Sequence, residues 1–190
     1  MNAPLALSTP RPARLTVKDF LALERIGAFR EYSRSELIDG TIYVVNSQYT
    51  RHMRVKTHLL VRLAQACAAL PAGYEAWSDG SVELDEHSLP EPDLLVTNCT
   101  PMGKFVIAKE LVLAIEVSNS TAAFDLGKKA KVYAKSGLPE YWVFDLRRER
   151  IFRHVDPAPD GYARRDELAL GERLSALTLP GLSVETFGLD

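Results

Sequence analysis

The chain has 190 residues, 46% hydrophobic and 25% charged, with a formal net charge of −2. That composition excludes a disordered or fibrous chain, and no apolar run reaches the roughly 20 residues a membrane-crossing helix needs. The length accommodates one domain with a sizeable core, or two small ones.

The opening "MNAPLALSTPRPARLT" lacks the basic-then-apolar layout of a signal peptide and is too rich in proline for an amphipathic targeting helix. Residues 1–14 are therefore expected to form a flexible arm and 15–190 a single domain. Residues 15–25, "LTVKDFLALER", predict a short helix capped by Thr16, with Asp19 three positions on. "SELIDGTIYVV" predicts two strands around a tight turn at Asp39-Gly40, because Asp-Gly between apolar runs marks a hairpin. Residues 51–70 predict the first long helix. His52, Lys56, Leu59, Leu63, Ala66 and Leu70 fall on one side, His52 at the rim of the buried face, and Pro71 and Gly73 end the helix.

Strands are predicted over 74–84, 93–97 and 111–117, and a second helix over 121–136. Ser120 or Thr121 is its expected cap, and Gly137 with Pro139 its stop. Residues 140–146 predict the next buried strand, and the remainder peripheral strands and turns. The strand, helix and strand between 111 and 146 form a βαβ unit, so an α/β fold with a mixed sheet flanked by helices is expected. Cys67 and Cys99 fit no metal spacing. Cys67 lies in a helical apolar stripe and reads as a buried thiol, which points to a reducing, cytoplasmic setting.

Charge is unevenly distributed. Residues 51–70 hold Arg51, Arg54, Lys56 and Arg62 and no acid, whereas 74–93 hold seven acids and no Lys or Arg. A near-neutral total can thus combine a basic surface with an acidic pocket, or simply contain ordinary solvated faces.

The stretch "LVLAIEVSNSTAAFDLGKK" places Glu116 inside an apolar strand. On regular pairing Glu116 shares a face with Ala114 and Val112. Asp93 follows Pro92 at the mouth of another strand. Lys129, four residues from both Asp125 and Tyr133, borders the buried side of the second helix, while Lys128, Lys131 and Lys135 form a solvated stripe. Two carboxylates brought together favour a hard divalent cation such as Mg²⁺ or Mn²⁺, and an ammonium beside them suits phosphodiester hydrolysis. The same trio also satisfies a purely structural arrangement, with Glu116 paired to Lys129 or Lys128 and Asp93 capping a turn.

At these residues the sequence resembles a known pattern. Pro92-Asp93 followed by Glu116 on a later strand looks like the PD-(D/E)xK restriction-endonuclease-like superfamily. More narrowly, Glu116-Val117-Ser118, Asp125, Lys129, Tyr133 and "GLPEYW" from Gly137 to Trp142 resemble the Uma-two endonuclease family, over most of the chain from Leu15 onward. The resemblance implies a restriction-endonuclease-like core with extra peripheral strands and a Mg²⁺-dependent (or Mn²⁺-dependent) nuclease site. Asp93 and Glu116 would be metal ligands, with the Val117 carbonyl as a third oxygen. The superfamily's lysine position, two after Glu116, is Ser118 here, and Lys129 would supply the ammonium from the helix.

His52 reads either as a catalytic or phosphate-orienting group or as a rim histidine with a structural hydrogen bond. Glu36 reads first as a strand-edge surface acid and second as a candidate for the metal environment. Trp77, Trp142 and Tyr133 are expected in the core, and His58, His87 and His154 as structural or exposed. Arg51, Arg54 and Lys56, with Lys128 and Lys131, are candidates to hold a phosphate backbone. The expected partner is nucleic acid, above all DNA, and no membrane. A homodimer is expected, because one site cuts one strand. The alternative is a catalytically inactive binding or interaction module on the same fold.

Overall fold

Asp39 and Gly40 both take positive φ, 49° and 77°, the turn geometry that matches the twist of a two-strand hairpin. In the computed structural model, which describes residues 11–46, 50–71 and 73–189, they join β1 (Arg34–Ile38) to β2 (Thr41–Val45). The expected arm over 1–14 lies outside the described residues up to residue 10; Arg14 is tied to Asp39. Ahead of the hairpin, α1 (Val17–Arg25) starts on the predicted capping box. The Asp19 backbone N–H donates to Thr16 Oγ1, and the Asp19 carboxylate accepts from the Thr16 N–H. Val17 and Phe20 of this helix pack with Leu37 and Leu89 in a small cluster of their own.

The long helix is α2 (Thr50–Ala68). The strand expected over 74–84 is two strands, β3 (Glu75–Ser78) and β4 (Val82–Glu83), because Asp79 turns at φ 56° between them. There follow β5 (Leu94–Thr97), β6 (Val106–Ile107) and β7 (Leu111–Ser118). Then come α3 (Ala122–Phe124), a π-helical turn (Asp125–Lys129) and α4 (Ala130–Lys135). The chain continues through β8 (Glu140–Asp145), β9 (Arg150–Ala158), β10 (Gly161–Ala169), β11 (Arg173–Ser175) and β12 (Ser183–Glu185).

Six strands form the central sheet in the order β10-β9-β8-β7-β5-β3. Its one parallel pair is β7 with β8, the expected βαβ unit; the other pairs are antiparallel. Both faces are covered. Leu113, Ile115 and Val117 of β7 pack against Val55, Leu59 and Leu63 of α2, whereas Ala114 packs with Ala130 and Tyr133 of α4. Val112 was expected beside Ala114 but belongs to the opposite cluster. β7 bulges at Val112, which is left unpaired where the ladder passes from Val96–Leu113 to Thr97–Leu111, and this reverses the alternation at the start of the strand. Trp142 and Tyr133 are core residues as expected. Trp77 is not: on edge strand β3 it is 38% exposed and donates from Nε1 to Thr97 Oγ1.

Buried Glu140 at the start of β8 ties the C-terminal segment to the sheet. Its carboxylate accepts from the Trp142 indole, from the backbone N–H groups of Leu177 and Thr178, and from the Thr178 hydroxyl. No helix among the described residues is long and apolar enough to cross a membrane.

His154 on β9 is buried among the rings of Tyr141 and Tyr162, and its Nδ1 has no partner among the described residues. Burial pushes its pKa down to about 4. A histidine depressed in the folded state stabilises the protein above its unfolded value near 6.5, and this contribution is lost as pH falls through the folded value. Thermal melts should therefore show up to about 3 kcal/mol of stability disappearing between pH 6.5 and 4. His154→Phe should lack that loss, and an identical acid profile in the two proteins would refute the assignment.

Candidate functional site

Asp93, Glu116, Lys129 and His52, far apart in sequence, come together where β5 and β7 meet the β1–β2 hairpin. Hydrogen bonds link Leu37 of β1 to Leu89, just ahead of β5, and hold the hairpin over this end of the sheet. A cavity of about 190 Å³ opens here, lined by these four residues and by Arg34, Glu36, Tyr43, Phe124 and Asp125, among others.

Asp93 is 3% exposed, and both of its oxygens have hydrogen-bond partners. Its Oδ2 accepts from the Val117 backbone N–H at 2.8 Å and lies 3.1 Å from His52 Nε2; its Oδ1 accepts from Arg34 Nη1 at 3.2 Å. Burial would raise this carboxyl, but the His52 hydrogen bond, Arg34 and the Val117 N–H outweigh it, and the group sits below the ordinary carboxylate range. An ionised carboxylate only accepts, so His52 Nε2 carries the proton. His52 Nδ1 is buried and has no partner among the described residues.

Glu116 is the opposite case. Burial, reinforced by Asp125, Asp93 and Glu36 nearby, pushes its pKa well above the ordinary value despite Lys129. Lys129 Nζ donates to Glu116 Oε1 at 2.7 Å and lies 2.8 Å from Glu36 Oε1; the Tyr133 hydroxyl is 3.5 Å from the same Glu116 oxygen. Lys129 itself is 2% exposed, and its carboxylate neighbours overcome burial to hold it firmly protonated.

The π-helical turn accounts for that depth. A regular α-helix over 121–136 leaves Lys129 at the border of the buried face, but the wider turn "DLGKK" carries both Asp125 and Lys129 inside. Thr121 stands at the N-cap as expected, but its side chain makes no capping bond. Its hydroxyl donates instead to Asp125 Oδ2 at 2.7 Å, where the Ser118 hydroxyl also donates at 2.6 Å. A buried carboxylate one turn on competes with the helix end for that hydroxyl. Ser118, two residues after Glu116, thus holds Asp125, while Lys129 brings the ammonium to Glu116.

Glu36 is not the surface acid of its first sequence reading but lies in the environment of the site, its second. It is 7% exposed, accepts from the Glu91 backbone N–H at 2.6 Å and shares Lys129 with Glu116. Arg34 and Asp125 carried no predicted role. The available signal for Arg34 and Glu36 was their alternation in "RSELI", which puts both on one face of β1.

The phosphate candidates divide. Arg54, Lys128 and Lys131 are exposed. Lys56 is paired with Asp79 at 2.8 and 3.0 Å, and Arg51 is bonded to the Leu146 carbonyl and lies 3.6 Å from Glu149.

Four carboxylates (Glu36, Asp93, Glu116, Asp125) face two cations (Lys129, Arg34), leaving two negative charges in excess when all are ionised. Together with the raised Glu116, that excess fits a hard divalent cation among oxygen donors. Among the described residues no three His, Cys, Asp or Glu side chains are arranged as a ready-made metal site. A set of two carboxylates and a backbone carbonyl suits Mg²⁺, which keeps several of its waters.

A family model, Uma2, described as "Putative restriction endonuclease", matches residues 17–187. A crystal structure described as "a putative nuclease belonging to DUF820" from Anabaena variabilis ATCC 29413 shares the fold. Its TM-score is 0.63 at 16% identity, over 85% of this chain and 89% of that chain. No curated protein matches the chain.

Proposed function

Because the chain belongs to the Uma2 family, we propose that it is a Mg²⁺- or Mn²⁺-dependent nuclease that hydrolyses phosphodiester bonds of nucleic acid, above all DNA. The observation that carries this reading is the buried pair Asp93 and Glu116 at the cavity floor, with Lys129 2.7 Å from Glu116 and negative charge in excess. Asp93, Glu116 and the Val117 carbonyl would hold the cation. A divalent ion there supplies Lewis acidity toward water and a phosphoryl oxygen.

The chain's own groups do the rest. Lys129 Nζ keeps its proton and donates toward charge growing on the phosphoryl group. Arg34 and His52 hold Asp93 from two sides, so its carboxylate is oriented before substrate arrives. Arg54, Lys128 and Lys131 offer exposed charge to the backbone on either side. Each chain carries one such site, so cutting both strands of a duplex calls for a homodimer, which sedimentation in the presence of duplex would detect.

The direct test is a melt with Mg²⁺ or Mn²⁺. At about 100 times its Kd a bound ion adds about 2.7 kcal/mol, or roughly 5–10 °C for a chain of this size. Asp93→Asn should abolish the shift, and circular and single-stranded DNA should be cut only by the wild type. Absence of any shift with either ion, in wild type and variant alike, would remove the metal site. Tight DNA binding without cleavage would assign the chain to the inactive binding module instead.

A further inference from the structure

The hairpin presents two unlike rows to the cavity. Directly opposed residues of an antiparallel pair share a face, and Glu36 pairs with Tyr43 while Arg34 pairs with Val45. The β1 row is charged and is absorbed by Asp93 and Lys129. The β2 row is aromatic and apolar, and nothing in the hydrolytic chemistry uses it. Tyr43 meets Phe124 with ring centroids 4.6 Å apart, and both rings line the cavity. Val45, on the same face as Tyr43 and 39% exposed, continues the row, whereas Val44 is paired with Ser35 and alternates to the other face. Lys128 Nζ lies 5.4 Å from the Tyr43 ring centre.

We propose that Tyr43 and Phe124 form a stacking wall for one unpaired nucleobase beside the phosphate that is cut, so that the substrate is single-stranded or locally unwound nucleic acid. This rests on the nuclease reading above and adds the substrate class. A base has an apolar face and follows a charged phosphate, the same pairing of surfaces that β2 and β1 offer together. Aromatic platforms with cations alongside are a usual means of gripping single strands without reading their sequence, and here Lys128 is the cation beside the ring. The cavity, about 190 Å³, lies below the roughly 300–1,000 Å³ of drug-sized sites, a size in keeping with one base at its wall. The Tyr43–Phe124 contact also ties the hairpin to the helical segment. A purely structural tie, however, does not require an exposed valine, Val45, continuing the same face at the cavity mouth.

Full-length protein with Mn²⁺ and a single-stranded phosphorothioate oligonucleotide tests this by binding, independently of turnover. A base-bearing strand should bind about 5- to 150-fold more tightly than the same strand with a central abasic site. A 2-aminopurine at that site should be quenched on binding. Tyr43→Ala should erase the discrimination and Tyr43→Phe should keep it; if Tyr43→Ala melts early, Tyr43→Leu removes the ring while keeping apolar volume. Equal binding of base-bearing and abasic strands, with normal cleavage of unmodified DNA, overturns the wall and leaves the nuclease standing. Failure of every oligonucleotide to bind or be cut overturns both. Tyr43→Phe behaving like Tyr43→Ala would also overturn it, since the hydroxyl and not the ring would then be the contact.

Discussion

Glu116→Gln is expected to lower divalent-ion-dependent cleavage by more than about 100-fold, beyond the 10–100-fold typical of losing a supporting group around a metal. The same variant should melt no lower than the wild type at neutral pH without added metal. Glutamine keeps the shape of the acid and removes a charge whose burial is unfavourable. The sign follows from linkage. Glu116 has a raised pKa in the folded state, so its contribution to stability is fully present below the unfolded value near 4.3 and is lost as pH rises through the folded one. The melting advantage of the variant should accordingly grow as pH rises above about 4.3 and vanish below it. Added Mg²⁺ should reverse the order by stabilising only the wild type. Wild-type cleavage by Glu116→Gln, or a collapse of its melting temperature, would show that Glu116 is a structural ion-pair partner and nothing more.

Lys129→Met should have the largest effect on stability. The ammonium is buried and serves Glu116 and Glu36 at 2.7 and 2.8 Å, with Asp125 a third carboxylate in its field. Removing it leaves three buried carboxylates without their shared cation, a loss of about 3–5 kcal/mol. For a chain of this length that corresponds to roughly 6–20 °C of melting temperature. Cleavage should be lost as well. Two comparisons separate the electrostatic cause from a packing defect. Adding Glu116→Gln to Lys129→Met should recover part of the loss, with a coupling of about 0.5–3 kcal/mol. Millimolar Mg²⁺ should stabilise Lys129→Met at least as much as it stabilises the wild type, because a cation can replace a cation. A melting temperature within about 2 °C of wild type, less than 1 kcal/mol on the same scale, would contradict the shared-ammonium arrangement.

Helix and strand positions were legible wherever the signal is local. The Thr16 and Asp19 capping box, the Asp39-Gly40 turn and the stop at Gly137 depend on a few neighbouring residues, and all three stand as read. The apolar run ending in Glu116 identified a strand covered on both faces, and the strand-helix-strand order implied its parallel partner β8. The misreadings share a different origin. Trp77 resembles a core residue in sequence, but its strand is at the sheet edge. Val112 changes face because its own strand bulges there, with Val96 opposite Leu113, Thr97 opposite Leu111 and Val112 left unpaired. Glu36 looks like a surface acid until a contact across some fifty residues, Leu37 to Leu89, folds its hairpin over the cavity.

Residue identity alone determined which groups could do chemistry here: two acids at strand mouths, one lysine on the following helix and a histidine at a helix start. Spacing could bring Lys129 only to the edge of the core. The tertiary structure decided its burial, through a π-helical turn, and its partners, through a hairpin held by long-range hydrogen bonds. Local sequence specifies backbone preference and periodicity, which act over a few residues. The field at a buried carboxylate depends on every charge within several ångströms, and those charges arrive from β1, α2, the residue before β5, β7 and the π-helical turn.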